Sequence, residues 1–410
     1  MKVCINDMLH VFAFVLDNVE KEIVGVVTNH AERIAYVCTK LGRQFGFNEY
    51  ELSDLSACAI LHDSAILEYI EEEHCAESGI KARNKRGKKG HCIVGEQNIK
   101  NFPFYGSIEN VILYHHENFD GSGPFGKKKA EIPLYSALIH MADDLDVKFG
   151  LYDMDDVKYD AIQKHLAEYT DKHYAKVHVD AFLSLFTKEE ISKMNQDRIE
   201  EALARSLVCY YREYSPEDLI AFSTVFAKLI DYKSGFTGRH SHEIAKKAAF
   251  MGRFYGFDKE EQAKLYLAGA LHDIGKLVVD SDILEKPDKL TEDEYIYVQT
   301  HAYYTYAILK KVRGFEEITR WAALHHEKLN GKGYPFGLTA KDLKFNERLM
   351  GCIDIYQALV EERPYKKVYS HEEAIAMLRK MGSSGYIDKN ITEDINEAFG
   401  ENQGQYSKEA

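Results

Sequence analysis

His240, His272, Asp273, His301, His325, His326 and Asp354 make a set of imidazole and carboxylate donors. Gathered from several helices, such a set suits a pair of divalent first-row metals. In it the adjacent His272-Asp273 pair lets the aspartate bridge two ions while the histidine binds one. The set recurs 210 positions earlier as His30, His62, Asp63, His91, His115 and His116, with spacings of 32, 1, 28, 24 and 1 in both halves. The runs that follow, HHENFDGSGPFG and HHEKLNGKGYPFG, align if the tyrosine is absent from the first, which brings Asp143 against Asp354. A lone histidine on an apolar face is more often a hydrogen-bonded core residue, and His10 and His242, which do not repeat, are read that way. A ligand set kept twice favours metal.

The elements that must hold these donors read as helices. The repeat also carries Gly46, Asn48 and Glu51 as Gly256, Asp258 and Glu261, a helix stop followed by a capping-box-like start. Leu219, Phe222, Val225, Phe226, Leu229 and Ile230 fall three and four apart behind Ser215-Pro216-Glu217-Asp218, the pattern of a capped amphipathic helix. Thr291 and Glu294 form another capping box, ahead of the helix expected to carry His301. No sustained alternating strand pattern occurs. The expected fold is all-α, with two tandem helical domains at 1–205 and 214–410, joined by a hinge near Tyr211 to Ser215.

A chain of 410 residues is too long for one ordinary core. With 45% hydrophobic residues and only seven prolines, packed helices are the natural expectation. Seven scattered cysteines, never spaced as CxxC, argue against a disulfide framework and for a reducing cytoplasm. No segment reaches membrane-spanning length. A formal charge of −14 argues against nucleic-acid polymers and anionic membranes as partners, but admits small anions where a metal supplies positive charge. The basic run Lys81 to Lys89 reads as a solvated loop, with phosphate contact as the alternative.

LHDIGK (Leu271 to Lys276), ILEKP (Ile283 to Pro287), HHEKLNGKGYP (His325 to Pro335) and ERPY (Glu362 to Tyr365) resemble the HD-GYP phosphodiesterases over about Asp231 to Phe399. The first half resembles a divergent member of the same HD superfamily. The resemblance implies an all-helical fold around a metal centre that hydrolyses a cyclic dinucleotide, cyclic di-GMP or cyclic GMP-AMP. It implies that His240, His272, Asp273 and Asp354 hold one divalent metal and that Asp273 bridges to a second on His301, His325 and His326. A water between the metals would be the nucleophile, and iron or manganese would fill the sites. Lys276 and Arg363 are expected on phosphate oxygens, although Lys276 could instead be a helix C-terminal lysine answering the dipole. Gly331, Gly333, Tyr334 and Pro335 are expected as a loop at the site rim, with Tyr334 stacking on a base or ordering the loop; a plain turn is the alternative.

Departures from the family pattern qualify this. Phe236, and Val26 in the first half, stand where some members carry a glutamate that supports a third metal, so two metals per site are expected. Asn330 and Gln357 replace aspartates that the first half keeps as Asp120 and Asp146. The first half has Ile66 in place of Lys276 and lacks the tyrosine and the RPY motif, so it is expected to bind metal through His30, His62, Asp63, His91, His115, His116 and Asp143 without hydrolysing the cyclic dinucleotide. Two other functions stay open: an HD phosphohydrolase acting on a linear nucleotide or signalling phosphate, and a non-catalytic dinucleotide sensor. Homo-oligomerisation is left open as well.

Overall fold

The structure is a computed structural model that describes residues 1–24, 27, 29–65, 87–100, 102–208, 211–233, 240–284, 286, 288–361 and 368–401. Among these the chain forms α-helices, short 3-10 turns, a closing π-turn and one two-stranded ribbon. It divides into two compact units, Ile5–Tyr210 and Met1–Cys4 with Tyr211–Ala410.

The first unit contains α1 (Ile5–Val24), α2 (His30–Gln44), α3 (Glu49–Leu61), α4 (Gly87–Ile99), α5 (Leu134–Phe149), α6 (Asp156–Tyr169), α7 (Lys176–Leu185), α8 (Lys188–Ile191) and α9 (Ile199–Ser206). α2 is its hub and packs on α3, α5, α7 and α9. The second unit contains α10 (Pro216–Lys233), α11 (His240–Phe254), α12 (Lys259–Leu271), α13 (Ser281–Leu284), α14 (Glu292–Leu309), α15 (Glu316–Ala323), α16 (Phe345–Val360), α17 (His371–Ser383) and α18 (Lys389–Asn396). Here α12 is central, against α10, α11 and α15, while α11 also meets α16.

Local chemistry explains the boundaries that matter for the donors. Gly46 and Gly256 both take φ near the left-handed region, 81° and 74°, which ends α2 and α11 at equivalent places. Asn48 then caps α3 in a reciprocal box with Glu51, and Asp258 caps α12 by accepting from the Glu261 amide. Ser215 and Asp218 exchange hydrogen bonds ahead of α10, and Leu219, Phe226 and Ile230 along it are buried. The Thr291–Glu294 box opens α14 as expected.

Two sequence expectations change. The stretch expected as a hinge contains strand β2 (Tyr211–Glu213), antiparallel to β1 (Lys2–Cys4), with Val3 opposite Arg212. Sequence periodicity cannot register three residues that gain strand geometry from a partner far along the chain. Cys4 is disulfide-bonded, whereas Cys38, Cys58, Cys92 and Cys352 are free and buried. The scattered spacing hid that bond. Among the described residues no helix is long and apolar enough to cross a membrane.

Candidate metal centres

The second half of α12 is buried nearly all round, from Leu265 to Leu271, so the residues at its end are delivered into the interior. His272 is the C-cap, and Asp273 leads into a 3-10 turn, Ile274–Val278, that packs on α14. His301 sits in the middle of α14, His240 at the first position of α11, and Asp354 near the middle of α16. His325 and His326 follow the C-cap of α15.

These side chains converge. Donor atoms of His240, His272 and Asp273 lie within 4.8 Å of one another, as do those of His301, His325 and His326. Asp273 stands between the groups: Oδ2 is 3.2 Å from His272 Nε2 and Oδ1 is 3.5 Å from His301 Nε2. Asp354 is 3.9 Å from His240 Nε2 and 3.8 Å from His326 Nδ1.

The hydrogen bonds around the rings orient them for coordination. His272, His301 and His325 each place Nδ1 on the carbonyl three residues back, at 2.7, 2.6 and 2.6 Å. That fixes the tautomer and turns the Nε2 lone pair inward. Those three Nε2 atoms and Asp273 Oδ1 are buried without a hydrogen-bond partner of acceptable geometry. Orphaned buried acceptors facing a carboxylate fit a cation, since buried polar atoms are otherwise satisfied. Electrostatics agree. Burial pushes the His325 imidazole down to about 3, so it is a neutral donor. Burial alone would raise the Asp273 carboxyl, but His272 and Lys276 hold it well below the ordinary carboxylate range.

The first unit builds the same arrangement. His30, His62 and Asp63 form one group, and His91, His115 and His116 the other. Asp63 again lies between them, 3.5 Å from His62 Nε2 and 2.8 Å from His91 Nε2. Asp143 reaches His30 Nε2 at 3.4 Å and His116 Nδ1 at 3.9 Å. His62 and His115 place Nδ1 on the carbonyls of Ala59 and Ile112.

Of the expected substrate contacts in the second unit, Lys276 lies in the last turn of the 3-10 helix with Nζ 2.5 Å from Asp273 Oδ2. Tyr334 stacks obliquely on His326 with ring centroids 4.7 Å apart. Gly333 permits that loop: a Cβ there would sit 2.3 Å from the Lys328 amide nitrogen. Arg363, the RPY segment, Phe236, Val26, Ile66 and Lys81 to Arg86 lie outside the described residues. Lys88 and Lys89, expected in a loop, occupy the first turn of α4 and are exposed. His10 meets Glu32 at 3.0 Å and His242 meets the Tyr266 hydroxyl at 3.0 Å, as satisfied core histidines do.

Four supports escaped the sequence reading. Buried Glu327 accepts from the Phe336 and Leu338 amides and so pins the loop carrying Tyr334; Glu117 does the same through Phe125 and Lys127. The repeated His-His-Glu was a signal for both. Glu361 holds His240 Nδ1 at 2.9 Å, and Thr305 bridges the His272 carbonyl and the Gly275 amide. Neither has an equivalent in the other half, so the repeat could not flag them.

Residues 20–174 and 224–391 match the family described as HD domain. The sequence is 28% identical to the 3'3'-cGAMP-specific phosphodiesterase 1 of Vibrio cholerae over 90% of this chain and 86% of that relative. It is 31% identical to the 3'3'-cGAMP-specific phosphodiesterase 3 of the same organism over 70% of this chain and 62% of that one. A cyclic di-GMP phosphodiesterase response regulator of Xanthomonas campestris is 32% identical over 37% of this chain and 41% of its own length. The crystal structure of a cyclic GMP-AMP specific phosphodiesterase of V. cholerae superposes with a TM-score of 0.66 at 22% identity, covering 97% of this chain and 98% of that one, and so shares its fold.

Proposed function

The chain belongs to the HD-domain family, and from that premise we propose that it is a metal-dependent phosphodiesterase whose second unit hydrolyses a 3'3'-linked cyclic dinucleotide. The observation that carries the reading is the second cluster: three buried imidazole nitrogens without hydrogen-bond partners, aimed at a carboxylate that Lys276 also touches. Cyclic GMP-AMP is the first substrate to test, because relatives named for it match most of this chain; cyclic di-GMP, named in shorter matches, is the second.

His240, His272, Asp273 and Asp354 would hold one divalent ion, and His301, His325 and His326, together with Asp273, another; nitrogen and oxygen donors of this kind suit iron or manganese. Such ions supply an acidified water and Lewis-acid stabilisation of charge on phosphorus, so the chain needs no serine or cysteine nucleophile. The protein's own residues do the rest. The backbone carbonyls behind His272, His301 and His325 keep the rings in one tautomer. Lys276 places a fixed cation beside the developing negative charge on the phosphoryl oxygens. Tyr334, over His326, offers a flat face on which a base can stack. Hydrolysis adds water across one phosphodiester, breaking a single P–O bond to give the linear dinucleotide.

The test is anaerobic incubation of the metal-analysed protein with each cyclic dinucleotide, products being followed by chromatography, beside His272→Ala and His62→Ala. Turnover lost in His272→Ala and kept in His62→Ala is the expected result. Two bound metals per site with no turnover would reject the phosphodiesterase in favour of a sensor, and cleavage of linear nucleotides alone would place the chemistry on those instead.

A further inference from the structure

The first unit contains a cavity of about 370 Å³ directly beside its histidine cluster, with His116 in its wall. We infer that this cavity is a binding site for a compact phosphate monoester or free phosphate, in which Lys88 supplies the cation that Lys276 supplies in the second unit. The inference rests on the reading of the first cluster as a metal centre, and it adds a ligand of its own to the unit that lacks the cyclic-dinucleotide motifs.

Lys276 has Ile66 as its counterpart by position, so the first unit cannot draw a cation from the same turn. Lys88 enters from another element. It stands on α4 three residues before His91, hence on the same face of that helix, and lines the cavity with His116. Val298 occupies the equivalent position in the second unit, so Lys88 and Lys276 come from different helical neighbourhoods.

The remaining walls are polar. His140 and His173 both line the cavity, and His140 stands where the second unit has Gly351. Asn118, whose Oδ1 meets His140 Nε2 at 3.0 Å, faces the same space. Asp144 is the single acid in the wall, and its Oδ2 is already engaged by the Tyr174 hydroxyl and by His165 Nε2. Lys88 is the one cationic side chain in that wall, against one engaged carboxylate, on a chain whose net charge is −14. A cation beside a metal centre matches phosphate.

Size sets the class of ligand. The first loop lacks the tyrosine that stacks on His326 in the second unit, so no aromatic platform for a base is built over His116. Gly123 brings the loop backbone close instead, since a Cβ there would lie 2.7 Å from the Asn118 amide nitrogen. The volume is at the small end for ligand pockets, which run from about 300 to 1,000 Å³. A single phosphate with a short alcohol fits that description.

The probe is inorganic phosphate, titrated calorimetrically into the metal-loaded full chain carrying Lys276→Ala, which weakens the anion site of the second unit. One phosphate per chain is expected to remain. Adding Lys88→Ala should weaken it by about 10-fold or more, as loss of one charge-assisted hydrogen bond does, and Lys88→Arg should restore it. Lys88 is exposed, so these variants test the cavity rather than folding. Unchanged phosphate affinity in Lys88→Ala, no retained phosphate in the metal-loaded protein, or displacement of that phosphate by cyclic di-GMP would overturn the inference. Metal content of His62→Ala, measured separately, tests the metal reading on which it rests, and turnover of cyclic dinucleotide tests the proposed function.

Discussion

His30 and His240 open equivalent helices, yet they are braced differently. His30 Nδ1 leans on Asp146 at 2.7 Å, and that carboxylate is gripped from behind by the buried guanidinium of Arg33 at 2.8 Å. In the second unit Gln357 stands where Asp146 does, Glu243 where Arg33 does, and the brace is Glu361, one helical turn further along. The ring needs a carboxylate at Nδ1, and either of two positions four residues apart on one helix can provide it. What repeats between the halves is therefore the donor geometry. The scaffolding behind it has been rebuilt in each.

The largest expected contrast between the units is catalytic. Asp273→Ala should lower cyclic-dinucleotide turnover by at least about 10³-fold, since it removes the carboxylate shared by both groups of donors. Asp63→Ala should leave that turnover within about twofold, because Ile66 and the missing tyrosine deprive the first unit of the groups the reaction uses. Equal losses in the two variants, read as initial rates by chromatography, would make the units catalytically equivalent and dissolve the distinction.

Next in size is an effect on stability confined to the first unit. Arg33 and Asp146 are 1% and 4% exposed, and Asp146→Ala would take the paired carboxylate from a buried guanidinium. Breaking a buried pair from one side costs about 3–5 kcal/mol. Gln357→Ala, at the matching place in the second unit, strands no charge and should cost much less. Glu361→Gln should instead weaken metal binding about 10- to 100-fold, the usual toll for losing an outer partner of a ligand histidine. Thermal melts of the two alanine variants, with metal analysis of the third, separate a brace that stabilises the fold from one that tunes the site.

The sequence made the convergence of these histidines and aspartates legible because their types and spacing recur at one offset, which leaves small room for coincidence. Helix starts were legible for a similar reason: the boxes at Asn48 and Thr291 are local in sequence. Strand β1 depends on a partner far along the chain, which periodicity does not record. Glu361 and Thr305 stayed hidden for a third reason, since each replaces a support that the other half builds elsewhere. Long-range supports can be exchanged between helices without disturbing the pattern that a repeat reveals.

That exchange is clearest where the His-Asp turn meets the next helix. In the second unit Gly275 lies against α14, and a Cβ on it would fall 1.9 Å from the His301 carbonyl oxygen, while Thr305 ties the turn to that helix. In the first unit the small residue has moved across the contact: Ala65 stands for Gly275 and Gly95 for Thr305, and Asn98 reaches the Ser64 carbonyl at 3.3 Å. A Cβ on Gly95 would meet a side-chain methyl of Ile112 at 2.9 Å, which can yield, whereas the His301 carbonyl is backbone and cannot without moving the ligand it belongs to. Gly275→Ala should therefore displace α14 at His301, lowering metal content at that group of donors along with stability by about 1–3 kcal/mol, the usual cost of overpacking. Gly95→Ala should cost less than about 1 kcal/mol and leave the metal content of the first unit unchanged, because a rotamer adjustment relieves it. Paired metal analysis and melts of the two variants decide whether the exchange is functional: similar metal losses would mean that the contact serves packing alone in both units.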